Sequence, residues 1–329
     1  MNPELGHKKL GGEQMNKKIL VFFLVAMLVM TAFVGCGGGA DDPADEAYKV
    51  GILAPAVTHG WVAAVAYNAE LEAKELGVDY QVQTSTNAEE MTAQLEDLIT
   101  WGAQAIVAFP QWAGMEVPIQ EAIDAGIVVV NFDIQIDADG IYLVTGDNYD
   151  MGVQGAHYIL EKIGPEGVVV TLPVPASGSV SELRMAGFTE TATELEQNWT
   201  VLEYATAFTR EDGLADFADI LAANKQIDAV YSLDDETSIG VLQAITEAGR
   251  TDIKVITGGG GNQEYFNMMP EYENIWVQSA LYSPAMVRDA VKMAVDILDG
   301  NNVESPLVIP TSIVDKDNYM DYIDANSPY

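Results

Sequence analysis

The chain has 329 residues, 49% of them hydrophobic, enough for one or two packed cores, so disorder is excluded as the default reading. Its formal charge of -35 leaves no electrostatic source for holding a phosphate backbone, which excludes nucleic acid as a partner. The same charge is neutral toward small uncharged ligands and is read as keeping an extracytoplasmic surface solvated and monomeric.

Met15-Asn16-Lys17-Lys18 opens a short basic stretch, and Ile19 to Val34 follows as an apolar run that ends at Gly35-Cys36. That is the pattern of an export signal; the run is shorter than the ~20 residues of a spanning helix and is followed by glycines, not a basic stop. Met15 is taken as the true start, because Gly11-Gly12-Glu13-Gln14 can be back-translated as a ribosome-binding site. Phe33-Val34-Gly35-Cys36 resembles a lipobox, with Phe33 where a leucine is usual. Cys36 is the only cysteine, so no disulfide can form, and lipid attachment is its expected role; two acyl chains would hold the protein durably at the membrane face. Residues 1–35 are thus expected to be a signal peptide. Residues 36–47, rich in Gly, Asp, Ala and Pro, are expected to be a flexible tether.

From Tyr48 onward, short apolar runs alternate with segments of helical period. Strands are predicted at Val50 to Leu53, Tyr80 to Gln83, Ala105 to Phe109 and Val128 to Phe132, with helices at Val62 to Leu76, Glu89 to Thr100 and Val117 to Ala125. Gly77, Gly102 and Gly126 each follow a predicted helix, where a left-handed capping residue is wanted. After Gly146-Asp147-Asn148 a second series begins. It has helices at Met151 to Lys162, Glu182 to Leu195, Gly213 to Ala223 and Ser238 to Ala248, and strands at Val168 to Leu172, Val201 to Tyr204, Ala229 to Leu233 and Lys254 to Thr257. Ser283 to Leu298 reads as one more helix, and Leu307 to Val314 as one more extended run. The alternation implies an α/β fold of two doubly wound parallel-sheet lobes, with a ligand site in the cleft beyond the carboxyl ends of the strands.

Several of these stretches also carry a family likeness. Lys49-Val50-Gly51-Ile52-Leu53 with His59-Gly60-Trp61-Val62, Val129-Val130-Asn131-Phe132-Asp133, Thr145-Gly146-Asp147-Asn148, Arg184-Met185-Ala186-Gly187-Phe188, and Asp234-Asp235-Glu236-Thr237 with Gly240 stand in order over the mature chain. In that order and spacing the chain resembles the type I periplasmic sugar-binding proteins, the ribose- and galactose-binding group of ABC importers. The resemblance implies a first lobe of 48–147 plus 283–311 and a second of 148–282 plus 312–329, joined by three crossing segments. It also implies closure of this hinge on a small-molecule ligand, a permease partner in the membrane, no cofactor and no metal.

A sugar presents apolar faces and a rim of hydroxyls, so its site needs aromatic plates and polar edge groups. Trp61 and Phe208, from opposite lobes, match aromatic contact positions of the family, and Trp112 is a third candidate; each could instead be a core aromatic. Asp133, at the end of an apolar strand, is the first choice for accepting hydroxyl hydrogen bonds. Asp234 stands in the corresponding place of the second lobe, where it could also cap the next helix, and its family counterpart is usually Asn. Arg184 belongs to the family's Arg-x-x-Gly-Phe helix. Glu182 departs from the resemblance, standing where an arginine is common; Gly259 stands in place of an Asp, Tyr282 of a Gln and His59 of an Asn. His59 could bond a hydroxyl or be an exposed loop histidine. Three carboxylates, with no arginine at the position of Glu182, imply a hydroxyl-rich or cationic ligand such as an amino sugar.

Enzyme chemistry finds little support. The three histidines are scattered, no Gly-x-Ser-x-Gly elbow occurs, and the glycines at 258–261 lack the lysine of a phosphate loop. A sugar-responsive repressor would carry a basic helix-turn-helix where this chain carries an export signal. A binding lipoprotein for nucleosides or furanose-like signalling molecules remains an alternative, as does a sensory module for a membrane receptor.

Overall fold

The computed structural model describes residues 47–56 and 60–329; the export signal, Cys36, the tether up to residue 46 and His59 lie outside the described residues. The first half of the described chain supplies β1 (Lys49–Pro55), α1 (Gly60–Leu76), β2 (Asp79–Ser85), α2 (Ala88–Trp101), β3 (Ala105–Ala108), α3 (Glu116–Asp124), β4 (Val128–Phe132) and β5 (Tyr142–Gly146). Next come α4 (Asn148–Ile163), β6 (Glu166–Leu172), α5 (Ser179–Glu194), β7 (Asn198–Glu203), α6 (Arg210–Ala223), β8 (Ala229–Ser232), α7 (Asp235–Ala248), β9 (Val255–Ile256), α8 (Gln263–Met268) and β10 (Trp276–Ala280). The chain then runs through α9 (Val287–Leu298), β11 (Leu307–Ile309) and β12 (Ile313–Asp315).

The strands form two six-stranded sheets with orders β11-β5-β4-β3-β1-β2 and β12-β10-β9-β8-β6-β7. All pairs are parallel except β10 with β12. Helices cover both faces of each sheet, as parallel strands with two buried faces require. On the first sheet, Val65, Ala69 and Ala73 of α1 and Ala290, Val291 and Ala294 of α9 pack on one face, while Leu95 and Leu98 of α2 and Ile119 of α3 pack on the other. On the second, Ile159 of α4 and Phe188 of α5 lie on one face, and Phe217 of α6, Leu242 of α7 and Phe266 of α8 on the other. The expected α/β architecture of two parallel-sheet lobes is therefore observed.

Gly77, Gly102 and Gly126 adopt φ of +69°, +88° and +89°, the left-handed conformation expected of them. Two strands, β5 and β10, are not marked by the sequence pattern. In β10 the inward positions include Gln278 and Ser279, 1% and 0% exposed, so polarity hides a buried strand. The run from Leu307 to Val314 is two short strands, one in each sheet, and β7 begins at Asn198, earlier than expected. The chain passes between the sheets at Gly146–Asn148, after β10, and between β11 and β12.

The helix pairs of the second sheet approach closely through glycines. A Cβ on Gly152 of α4 would stand 2.2 Å from the Arg184 carbonyl oxygen, and one on Gly187 of α5 2.1 Å from that of Tyr149. The same device joins α6 to α7, where a Cβ on Gly213 would meet the Thr237 carbonyl oxygen at 2.4 Å and one on Gly240 that of Arg210 at 2.2 Å. These contacts fix α5 and α7, and with them the buried Arg184 and Asp234.

Candidate ligand cleft

Loops at the carboxyl ends of strands from both sheets converge on one cavity of about 560 Å³ of atom-free space, open mouth included. The lobes meet across it. The Gln135 amide, after β4, donates to Ser179 Oγ of α5 at 3.2 Å.

From the first lobe comes an aromatic cluster. Trp61, at the start of α1, lies 6.1 Å from Phe132 in a stacked arrangement, 5.9 Å edge-on from Phe109 and 5.8 Å from Tyr282. Its indole N–H donates to the Tyr282 carbonyl at 2.8 Å, so the ring is both a cavity wall and a buried core aromatic.

Asp133 follows β4 with φ of +69°, a left-handed conformation that costs an aspartate little and that binding sites often contain. Its amide donates to the Val144 carbonyl, and Thr145 Oγ1 donates to its carbonyl. The carboxylate receives the Tyr282 hydroxyl at 2.5 Å on Oδ1, and Oδ2 accepts no hydrogen bond from the described residues. Burial raises the Asp133 carboxyl above the ordinary carboxylate range; the Tyr282 hydroxyl and the Arg184 guanidinium oppose that shift. Tyr282 is itself fixed, because the Gly146 amide and Asn148 Nδ2 both donate to its hydroxyl, at 3.3 and 3.2 Å. A Cβ on Gly146 would stand 2.2 Å from the Tyr282 ring, which is why a glycine occupies that crossing segment.

The second lobe supplies the polar half. Arg184 is buried, donates from Nε to Asn148 Oδ1 at 2.8 Å and from Nη1 to the Leu233 carbonyl at 2.7 Å, and lies 4.7 Å from the Tyr282 ring centre. Nη2 has no hydrogen-bond partner among the described residues, and Arg184 lines the cavity. Asp234 caps α7, accepting from the amides of Glu236 and Thr237, and also lines the cavity. Burial, with the neighbouring Asp235 charge adding to it, pushes its carboxyl up to about 7. Asp235 is deeper and is likewise pushed up to about 7 by burial; its Oδ2 accepts from Gly261 N, Asn262 N and Ser279 Oγ while Oδ1 has no partner among the described residues.

Among the expected residues, Trp61, Asp133, Arg184, Phe208, Asp234, Gly259 and Tyr282 line the cavity. Trp112 and Glu182 do not. Trp112 packs on the apolar cluster between α2, α3 and the first sheet, and its neighbour Gln111 lines the cavity instead. Glu182 is exposed on α5, because residues two apart on a helix point to nearly opposite sides and Arg184 takes the inward one. The cavity therefore holds two carboxylates and one guanidinium, where three carboxylates were expected. Phe109, Gln111, Ser177 and Tyr329 also line it, although the sequence pattern does not single them out. The polar residues just after strands at 111 and 177 could have signalled their place, whereas nothing in the local pattern marks Tyr329.

Comparison with known proteins agrees with this geometry. Residues 50–302 match the family model of the periplasmic binding protein domain. The D-allose-binding periplasmic protein of Escherichia coli is 31% identical over 61% of this chain and 68% of its own. The ribose import binding protein of Bacillus subtilis is 26% identical over 81% and 87%. An ABC transporter periplasmic solute-binding protein from Actinobacillus succinogenes, solved with bound D-allose, superposes with a TM-score of 0.76 at 22% identity, over 84% of this chain and all of that one, a likeness of fold. With the family model covering most of the described residues, the chain belongs to the periplasmic binding protein family.

Proposed function

We propose that this protein is the extracytoplasmic solute-binding component of an ABC importer, capturing a monosaccharide between its lobes and presenting it to a membrane permease. The observation that carries the reading is the composition of the interlobe cavity. Rings from both lobes, Trp61, Phe109 and Phe208, stand with the polar groups of Asp133, Arg184 and Asp234, the combination that apolar sugar faces and hydroxyl edges need. Naming of relatives for allose and ribose supports a sugar. Two carboxylates balanced in part by Arg184 favour a neutral, hydroxyl-rich sugar over an anionic one, and an amino sugar is the next choice. Among the described residues that line the cavity none is arranged as a nucleophile with its base, and capture without chemistry fits the site best.

Closure follows from differential affinity: a ligand touching Asp133 of one lobe and Asp234 of the other stabilises the closed form by contacts that the open form lacks. Cys36, diacylated, would tether the protein to the outer face of the cell membrane; among the described residues no helix is long and apolar enough to cross one. A thermal-shift screen of the soluble chain starting at Gly37, against monosaccharides, amino sugars, polyols, nucleosides and amino acids, tests the reading. A rise in Tm with one sugar class, lost in Asp133→Ala, is expected. A rise only with a nucleoside or amino acid would overturn it.

A further inference from the structure

Residues 319–329 run as a tail along α8 of the second lobe. The Asp324 amide donates to Gln263 Oε1 at 2.7 Å, Gln263 Nε2 to the Tyr322 carbonyl at 3.3 Å, and the Gln263 amide to the Tyr329 carbonyl at 3.3 Å. The Tyr322 and Phe266 rings meet edge-on at 6.4 Å. All of these anchors belong to the second lobe.

The Tyr329 ring leaves it. That side chain is 7% exposed, lines the cavity and is part of an apolar cluster that spans both lobes, with Trp61 and Phe132 from the first and Met151 and Tyr282 from the second. Two glycines border it, one from each lobe. A Cβ on Gly60, the first residue of α1, would stand 3.2 Å from Tyr329 Cδ2, and a Cβ on Gly260 would stand 3.0 Å from its hydroxyl oxygen. Gly60 also faces the opposite lobe, its Cβ position lying 3.4 Å from Glu236 Oε1. Glu236 is held in turn by Arg210 and Asn262. A slot with one wall from each lobe exists only while the lobes are together. The run Gly258–Gly261, which follows β9 where a strand end ordinarily presents side chains to the ligand, has none to offer, and the Tyr329 ring fills that side of the cavity.

Building on the sugar-capture reading, we propose that Tyr329 is the closing residue of the cleft, a ring carried by the second lobe that seats against Gly60 of the first, completes the cavity wall over the glycine run and stabilises the closed form. Its ring, not its hydroxyl, does this, because ring carbon Cδ2 stands beside Gly60 of the first lobe while the hydroxyl lies beside Gly260 of the second.

The test uses the soluble chain from Gly37, which lacks the single cysteine, with Gln135→Cys and Ser179→Cys placed where the lobes touch. The rate of disulfide formation in oxidised glutathione then reports the closed population, measured without sugar and with D-allose or D-ribose. Tyr329→Ala is expected to slow sugar-free cross-linking about threefold or more, and Tyr329→Phe to stay within about twofold of the parent. With either sugar bound, Tyr329→Ala is expected to release it about tenfold faster. A Tyr329→Ala variant that cross-links at the parent rate with and without sugar would overturn the proposal, as would a Tyr329→Phe variant as slow as the alanine one. Failure of both sugars to accelerate the parent would count against the sugar reading, while the sugar-free comparison still decides the role of Tyr329.

Discussion

The two lobes have equivalent strand orders, yet their halves of the cleft are chemically unlike. The first contributes the clustered rings of Trp61 and Phe109 backed by Phe132, with Asp133 as its cavity-lining charge; the second contributes Arg184, Asp234 and bare glycine backbone beside the separate rings of Phe208, Tyr282 and Tyr329. The helices differ as well. In the first lobe α2, α3 and α9 contain no glycine and pack on the sheet through Leu, Ile, Val, Ala and Met, whereas in the second α4–α5 and α6–α7 touch backbone to backbone through Gly152, Gly187, Gly213 and Gly240. Repetition of a fold thus leaves each copy free to take a separate share in holding one ligand, with a compact ring cluster on one side and a rigidly aimed guanidinium and carboxylate on the other.

That contrast can be broken most severely at the glycine contacts. Gly187→Val should destabilise the protein by about 3 kcal/mol or more, because its Cβ would fall 2.1 Å from the Tyr149 carbonyl oxygen, a backbone atom with no freedom to move aside. Urea unfolding measures this, and unchanged stability would mean that α4 and α5 do not meet as described. Next in size, Arg184→Met should weaken sugar binding about 100-fold, roughly 2.7 kcal/mol, since it leaves two buried carboxylates without their cation. Trp61→Leu, on the apolar side, should cost about tenfold, roughly 1.4 kcal/mol, by removing a flat surface while keeping a buried apolar side chain.

A further contrast lies in the pH dependence of the sugar-free protein. Asp234 and Asp235 have native carboxyl groups pushed up to about 7, while unfolded aspartates titrate near ~4. Between those values the native state holds protons that the unfolded state has released, so stability falls as pH rises through that window and levels off above it. The acidic surface acts in the same direction, and the signature is therefore a difference: Asp235→Asn should show a flatter dependence of Tm on pH between about 5 and 8 than the parent. Equal slopes would place the titration elsewhere.

Much of this was legible in the sequence, for reasons that vary by residue. Asp133 and Asp234 stand at strand ends preceded by apolar runs, so position alone marked them; Asp234 caps α7, the second reading weighed for it, and also lines the cavity. Arg184 and Gly187 were recognisable as a motif, but the reason for the glycine, contact with the Tyr149 carbonyl, is a tertiary fact. Trp112 and Glu182 were near misses of phase: the neighbour at 111 and the residue at 184 face the cavity, and composition says nothing of which way a loop or helix turns. Strand β10 escaped because its two buried faces carry the polar residues Gln278 and Ser279. Tyr329 was beyond reach, since its place depends on a tail fastened by Gln263, far away in the chain.

Isothermal titration calorimetry of the soluble chain with the sugar found in the thermal screen, set beside Trp61→Leu from one lobe and Arg184→Met from the other, tests the central claim that both lobes hold one ligand in one cavity. Single-site binding by the parent, weakened by each substitution while both variants stay folded, is the predicted result. Binding that survives both substitutions unchanged would contradict it and move the ligand out of this cleft.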